Sequence, residues 1–165
     1  FARIKKENKL QTSSVGRLFD AVASLLDVCD LNTYEGEGAI VLENLLEVAI
    51  PDGCTSYLDP KSSSLQPAAI IEAILMDKQH NVPQDQIVMN FMYTLANFII
   101  NKAMSLNYKH IACSGGVFQN TTLVDMLQVL APNEIKLYFH KDLSPNDENI
   151  AFGQLMYYHF MYQKK

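Results

Sequence analysis

Ile111-Ala112-Cys113-Ser114-Gly115-Gly116-Val117-Phe118-Gln119-Asn120 is an apolar run that breaks at two glycines and leads into the helical pattern of residues 121–130. At a strand–turn–helix junction of this kind the missing side chains let a ligand approach the backbone, and the N–H groups of the helix start favour an anion such as phosphate. The same two glycines equally serve a plain sharp turn, so the motif alone does not choose between the two. Beyond the helix, a break at Pro132-Asn133 and a second apolar run over 135–139 complete a strand–helix–strand unit whose strands are expected to be parallel neighbours. Ligands of such units gather beyond the carboxyl ends of the strands, which sets the glycine turn beside the segment after His140.

That segment, Leu143-Ser144-Pro145-Asn146-Asp147-Glu148-Asn149, opens a last helix carrying Ile150, Ala151, Phe152, Leu155, Met156 and Phe160. Asp147 and Glu148 fit its first turn, where the helix dipole favours carboxylates. A carboxylate there can also serve a metal, although one aspartate is not a metal site. Upstream, the pattern over 84–106 is apolar nearly all round (Ile87, Met89, Phe91, Met92, Leu95, Phe98, Ile99, Ile100), which predicts a central helix whose methionine and aromatic side chains pack rather than line a pocket. Pro83 suits the first turn of this helix and Pro67 that of the one before it, which carries Ile70, Ile71, Ile74, Leu75 and Met76.

Toward the N-terminus, apolar residues recur every three or four positions over 13–29, the period of an amphipathic helix, with Ser13 or Ser14 as N-cap and Asp20 facing solvent or a site according to phase. Tyr34-Glu35-Gly36-Glu37-Gly38 reads as a glycine-bent loop before a helix that runs through Val48 to a stop at Pro51-Asp52-Gly53. A short strand is expected over 55–58, then a serine-rich turn at 61–64.

Composition bounds the rest. A chain of 165 residues, 48% hydrophobic and 19% charged, makes one globular domain over 1–165 with a sizeable core. A net charge of -5 without a long basic run argues against nucleic acid held by its phosphates; Arg3, Lys5, Lys6 and Lys9 are few and offset by Glu7. Cys29, Cys54 and Cys113 are widely spaced and odd in number, which fits neither a disulfide framework nor a thiolate zinc site and suits a reducing cytoplasm. Apolar runs stop short of a membrane span, and the absence of any opening element after Phe1 is what a fragment of a longer protein would show. His80, His110, His140 and His159 are dispersed, with no His-x-x-x-His pair and no arguable Ser–His–Asp or Cys–His set.

Four blocks together carry a resemblance. Ser13-Ser14-Val15-Gly16-Arg17-Leu18-Phe19-Asp20-Ala21-Val22-Ala23, Tyr34 to Ile40, Ser114 to Asn120, and Pro145-Asn146-Asp147-Glu148-Asn149-Ile150-Ala151-Phe152-Gly153-Gln154 stand in the order seen in HypF-type carbamoyltransferases. The chain resembles the C-terminal lobe of their catalytic module, which is shared with TsaD threonylcarbamoyl transferases. The resemblance implies a helix-rich α/β fold, one lobe of the actin-like, Hsp70-like, sugar-kinase-like (ribonuclease H-like) class of ATPase-type folds, with nucleotide in a cleft between lobes.

It also implies a chemistry: a carbamoyl-adenylate, made from carbamoyl phosphate and ATP in a YrdC-like domain, gives its carbamoyl group to the C-terminal cysteine of HypE for NiFe-hydrogenase maturation. By the same resemblance Gly115 and Gly116 lie under adenosine rather than cradling phosphates, Asn120 makes a polar contact nearby, Asp20, Gly36 and Glu37 stand around ribose and phosphates, and Asp147 holds a divalent metal (zinc, iron, or magnesium with ATP). The metal would polarise carbamoyl or phosphate oxygens. The catalytic residues themselves are not assigned. Expected partners are a HypE-type acceptor, the first lobe with its histidine ligands, the YrdC-like domain, and a second copy through the exposed interlobe face; alternatives are an O-carbamoyltransferase or TsaD-like enzyme, or a non-catalytic packing module. Two departures stand out: Glu148-Asn149 replaces the family's Gly-Gly, and Met92 stands where the family has a histidine.

Overall fold

The computed structural model describes residues 12–46 and 53–162. They form six α-helices and two short strands in the order α1 (Val15–Leu25), α2 (Glu37–Asn44), α3 (Pro67–Gln79), α4 (Gln84–Ser105), β1 (His110–Ala112), α5 (Thr121–Leu130), β2 (Lys136–Tyr138) and α6 (Ile150–Tyr162), with 3-10 turns at Gly116–Gln119 and Asp147–Asn149. The basic N-terminal piece, the predicted extension of α2 to Val48 and the stop at Pro51-Asp52 lie outside the described residues.

Three helices stop by the same device. Asp27, Asn81 and Asn107 take the left-handed conformation just past α1, α3 and α4. In each case the next residue's N–H reaches back five residues, Val28 to Ala23, Val82 to Asp77 and Tyr108 to Ala103, so carbonyls at the helix end are paired. Aspartate and asparagine stand in for glycine here because their short polar side chains tolerate this conformation best among the rest. The α1 end is tied further to its neighbours: Lys78 Nζ donates to Leu25 O at 2.6 Å and Gln84 Nε2 to Leu26 O at 2.8 Å.

As its composition predicts, α4 is the spine of the molecule, burying Ile87, Val88, Met89, Phe91, Met92, Leu95, Ala96 and Ile100. Phe91 meets Phe19 of α1 edge to face with ring centroids 5.0 Å apart, and α5 lays Leu123, Met126 and Leu127 against the same helix. Met92 is fully enclosed, a place where an imidazole would need a buried polar partner.

The short strand expected over 55–58 does not form. Among the described residues this segment runs beside α4 and bends at Tyr57 and Leu58, and the N–H groups of Thr55 and Tyr57 donate to Asn90 Oδ1 (3.0 Å) and Thr94 Oγ1 (2.9 Å). The donors at Thr55 and Tyr57 thus meet acceptors one helical turn apart on α4. This pairing is why α4 carries two buried polar side chains, Asn90 and Thr94, among its buried apolar ones.

The sheet is the predicted one: β1 and β2 are parallel neighbours in the register His110 to Lys136, Ile111 to Leu137 and Ala112 to Tyr138.

Candidate functional site

The glycine turn and the loop after β2 do come together. Gly115 N–H donates to Pro145 O at 2.7 Å, Gln119 Nε2 to Ser144 Oγ at 3.3 Å, and Ser114 Oγ lies 3.0 Å from His140 Nε2. Gly115 adopts φ +109° and ψ +155°, backbone that only glycine takes without strain. Between these loops and α5 opens a cavity of about 240 Å³ with Phe118, Phe139, Val124 and Pro145 as apolar wall and Asp125 and His140 at its edge. The Ser114–His140 pair joins the ends of two strands 26 residues apart in the chain, and dispersed histidines in the sequence gave no sign of it.

The start of α5 is already satisfied by protein groups. Asn120 is its N-cap, with Oδ1 accepting from Leu123 N at 2.8 Å, and Glu43 of α2 accepts from Thr121 Oγ1 (2.6 Å), Thr122 N (2.9 Å) and Thr122 Oγ1 (3.3 Å). The simple expectation that open N–H groups at this helix start attract a phosphate is therefore corrected: a carboxylate stands there, placed by a residue 78 positions away that no local pattern marks. What is left open at Asn120 is its other end. The side chain is 6% exposed and its Nδ2 has no hydrogen-bond partner, a buried donor without an acceptor.

The second cluster is at the α1–α2 crossing. Asp20 Oδ1 accepts from Asn32 Nδ2 at 2.8 Å and Oδ2 pairs with Arg17 at 3.1 Å, while about a quarter of the side chain stays exposed, so each oxygen keeps a lone pair. A Cβ at Gly38 would stand 3.1 Å from Asp20 Oδ1 and 3.4 Å from Ala23, which makes glycine the residue that lets α2 sit this close to α1. Gly36 enters α2 with φ +83°, and one Glu37 carboxylate oxygen accepts the N–H of Thr33. That backbone bond, the largest influence on it, holds the Glu37 carboxyl below its ordinary range. The 116–119 turn packs against α1, the helix that carries Asp20.

Asp147 is exposed at the head of the 3-10 turn before α6, beside Asn146, whose Oδ1 caps the turn by accepting from Glu148 N at 3.2 Å. Asn149 Nδ2 is turned back onto Ser144 O. Among the described residues no group of three histidine, cysteine, aspartate or glutamate side chains could enclose a metal ion, so Asp147 offers one carboxylate and no more.

Residues 2–154 match the family model described as carbamoyltransferase, Kae1-like domain, second subdomain. The chain belongs to that family. It is 32% identical over 151 residues to the carbamoyltransferase HypF of Synechocystis sp. and 29% identical over 150 to that of Rhodobacter capsulatus, covering 88% of this chain and 19% of each relative. This Kae1-like subdomain thus spans about a fifth of the length of those curated relatives. Among solved structures, full-length HypF in a phosphate- and nucleotide-bound form superposes with a TM-score of 0.77 at 28% identity, over 91% of this chain and 25% of that one. The T. kodakarensis HypF structure, at 22% identity and a TM-score of 0.75, shares the fold over 93% of this chain and 20% of that one. The expected class holds: a helix-rich α/β lobe with a small sheet, of the actin-like, ribonuclease H-like type. No described helix of the Kae1-like subdomain is long and apolar enough to cross a membrane.

Proposed function

We propose that the subdomain forms the nucleotide-facing wall of a carbamoyltransferase site. The observation that carries this is the enclosed Nδ2 of Asn120, a donor held at the glycine turn without an acceptor and suited to a ring nitrogen or hydroxyl of a nucleoside. Adenosine would lie on the turn of Gly115 and Gly116, with the free lone pairs of Asp20 and the Gly36–Glu37 turn toward ribose and phosphates. That a 28% identical full-length HypF structure is a phosphate- and nucleotide-bound form supports a nucleotide as the ligand.

The donor in this proposal is carbamoyl-adenylate derived from carbamoyl phosphate and ATP in a YrdC-like domain, and the acceptor is the C-terminal cysteine thiol of a HypE-type protein in the cytoplasm. A divalent metal, when bound, would polarise the carbamoyl or phosphate oxygens. Asp147 is this chain's ligand for it, and with no three-ligand group among the described residues the remaining ligands come from the first lobe. Alone, the subdomain would bind nucleotide weakly and transfer nothing.

Calorimetric titration of ATP into the full-length polypeptide and its Asn120→Asp form tests this. Aspartate keeps an acceptor for Leu123 but offers no donor, so affinity is expected to fall about tenfold, the loss of roughly 1.4 kcal/mol, with circular dichroism checking that the substituted polypeptide folds. A full-length polypeptide that binds no ATP, or an Asn120→Asp form that binds it equally well, overturns the proposal. Asp147→Ala is expected to lower the metal content measured by elemental analysis.

A further inference from the structure

The nucleotide side of the proposed transfer has residues assigned to it, and the acceptor side has none. A thiol attacks as its thiolate, and with an ordinary pKa of about 8.5 only a few per cent is ionised near neutral pH, so a base at the point of attack speeds the step. The cavity between the two loops and α5 holds a candidate. The adenosine placement does not use this cavity, yet the two share a wall: Pro145, which lines the cavity, accepts the Gly115 N–H at 2.7 Å and stands two residues before Asp147. Phe118 and Phe139, ring centroids 6.4 Å apart and edge to face, give it an apolar side that suits a sulfur.

Of the groups lining the cavity, Cys113, Asp125 and His140 can exchange a proton. Cys113 is buried, and burial pushes its thiol up, so it keeps its own proton. A carboxylate such as Asp125 is too weak a base for a thiol, by roughly four to five pKa units on ordinary values. An imidazole exchanges its proton near neutral pH and fits the task. His140 is exposed, within reach of a macromolecular acceptor; its Nε2 lies 3.0 Å from Ser114 Oγ, and its Nδ1 has no hydrogen-bond partner among the described residues. A serine hydroxyl can accept, and with the hydrogen on Nε2 the Nδ1 lone pair is free. Asp125, on the α5 wall, is the charged side chain that shares the cavity and favours the imidazolium once formed, while Lys141 and Asp142 follow His140 in the chain.

We propose that His140 is the general base of the transfer: Nε2 donates its hydrogen to Ser114 Oγ, and Nδ1 takes the proton of the acceptor thiol as it enters the cavity. This rests on the carbamoyl-adenylate reading and adds a catalytic residue to it, with Ser114 as the positioning residue. The S–H bond breaks and leaves its electron pair on sulfur. The thiolate forms the S–C bond to the carbamoyl carbon, the C–O bond to the adenylate phosphate breaks, its electron pair leaves with AMP, and the imidazolium passes the proton to water.

Transfer from carbamoyl phosphate and ATP to an acceptor polypeptide ending in cysteine tests it, using the full-length polypeptide, its His140→Gln form and its Ser114→Ala form, from below the imidazole range to above the thiol range. Glutamine keeps an N–H for Ser114 but is no base. In His140→Gln kcat is expected to fall about a hundredfold at neutral pH, and the defect to shrink about tenfold once the pH passes the ordinary thiol value and the acceptor ionises unaided. ATP affinity in calorimetry should stay unchanged, which also shows that the substituted polypeptide folds. Ser114→Ala should lower kcat by a smaller factor and keep the acid limb. A second measurement needs no variant: with an acceptor ending in selenocysteine, whose selenol ionises below neutral pH, the acid limb of the unaltered polypeptide should disappear, and its persistence overturns the inference. Unchanged transfer in His140→Gln overturns it, as does a defect equal at every pH, which marks a structural role. Abolished transfer in Ser114→Ala would make the hydroxyl the reacting group and overturns it as well. A full-length polypeptide that binds no ATP sinks the nucleotide proposal and this inference together; one that binds ATP and fails only the transfer tests leaves the nucleotide proposal standing.

Discussion

Replacing Gly115 and Gly116 separately by alanine divides backbone strain from ligand contact. At Gly115 a Cβ would meet nothing within 4 Å, so crowding contributes nothing and the whole effect comes from φ +109°. Holding alanine there costs ~1–3 kcal/mol, and the stiffer unfolded chain returns ~0.4–1 kcal/mol. The net loss is about 1–2 kcal/mol, which for a domain of this size lowers Tm by about 2–8 °C. If the turn relaxes instead, the Gly115–Pro145 hydrogen bond that pins the two loops is what gives way. At Gly116 the φ is ordinary, and a Cβ would find Gln119 Oε1 at 3.9 Å and Asn146 Cβ at 4.0 Å, normal van der Waals distances, so Gly116→Ala should fold with nearly unchanged stability. Thermal unfolding of the 165-residue chain followed by far-UV circular dichroism gives the first readout. ATP titration of the full-length polypeptide gives the second, where Gly116→Ala is expected to weaken binding because the methyl group stands where adenosine is proposed to lie. Equal stability of Gly115→Ala and the unaltered chain, or a larger folding defect in Gly116→Ala, would refute this account of the turn.

Two further outcomes follow from the packing and from one carboxylate. Thr94→Val keeps shape and χ1 preference but strands the Tyr57 N–H, at a cost of about 1–2 kcal/mol; amide exchange at Tyr57 should accelerate at least tenfold in Thr94→Val and stay slow in Thr94→Ser, and equal protection in both would show that the hydroxyl does not hold the 55–58 segment. The Glu37 carboxyl has a lowered folded pKa, so its contribution to stability is present above the ordinary glutamate range and disappears as pH falls through the lower folded value. Carbon-detected NMR titration of the Glu37 carboxyl should give a midpoint below that of an ordinary glutamate, and Glu37→Gln should flatten the acid limb of the stability profile. A Glu37 midpoint at the ordinary value would mean that the Thr33 contact does not persist in solution.

Much of the architecture is local and was legible from pattern. The 3.6-residue period marks α1, the all-round apolarity of α4 marks the spine, and the Gly115-Gly116 break between an apolar run and a helix marks β1 and α5, because each depends on neighbours within a turn or two of the chain. The segment over 55–58 shows where that stops. Its extended backbone was predicted, but an extended segment becomes a strand only if another strand is there to pair with it, and the available acceptors were Asn90 and Thr94 on a helix. The three left-handed helix ends at Asp27, Asn81 and Asn107 could have been found, since each is an Asx followed by an apolar residue after a helical run.

The candidate site divides along the same line. The resemblance of four sequence blocks to the family nominated Asp20, Gly36, Glu37, Gly115, Gly116, Asn120 and Asp147; of these, local geometry accounts for Gly36 and Gly115, which need positive φ, and for Asn120, which caps a helix. Tertiary structure alone decided that Glu43 closes the start of α5, that Ser114 meets His140, and that the Nδ2 of Asn120 is enclosed without a partner. It also decided that α6, whose apolar residues are plain in the sequence, has no buried residue within its own lobe. Periodicity reports which side chains avoid water, a property of one segment; what covers them depends on surfaces brought from elsewhere in the chain or from another part of the protein.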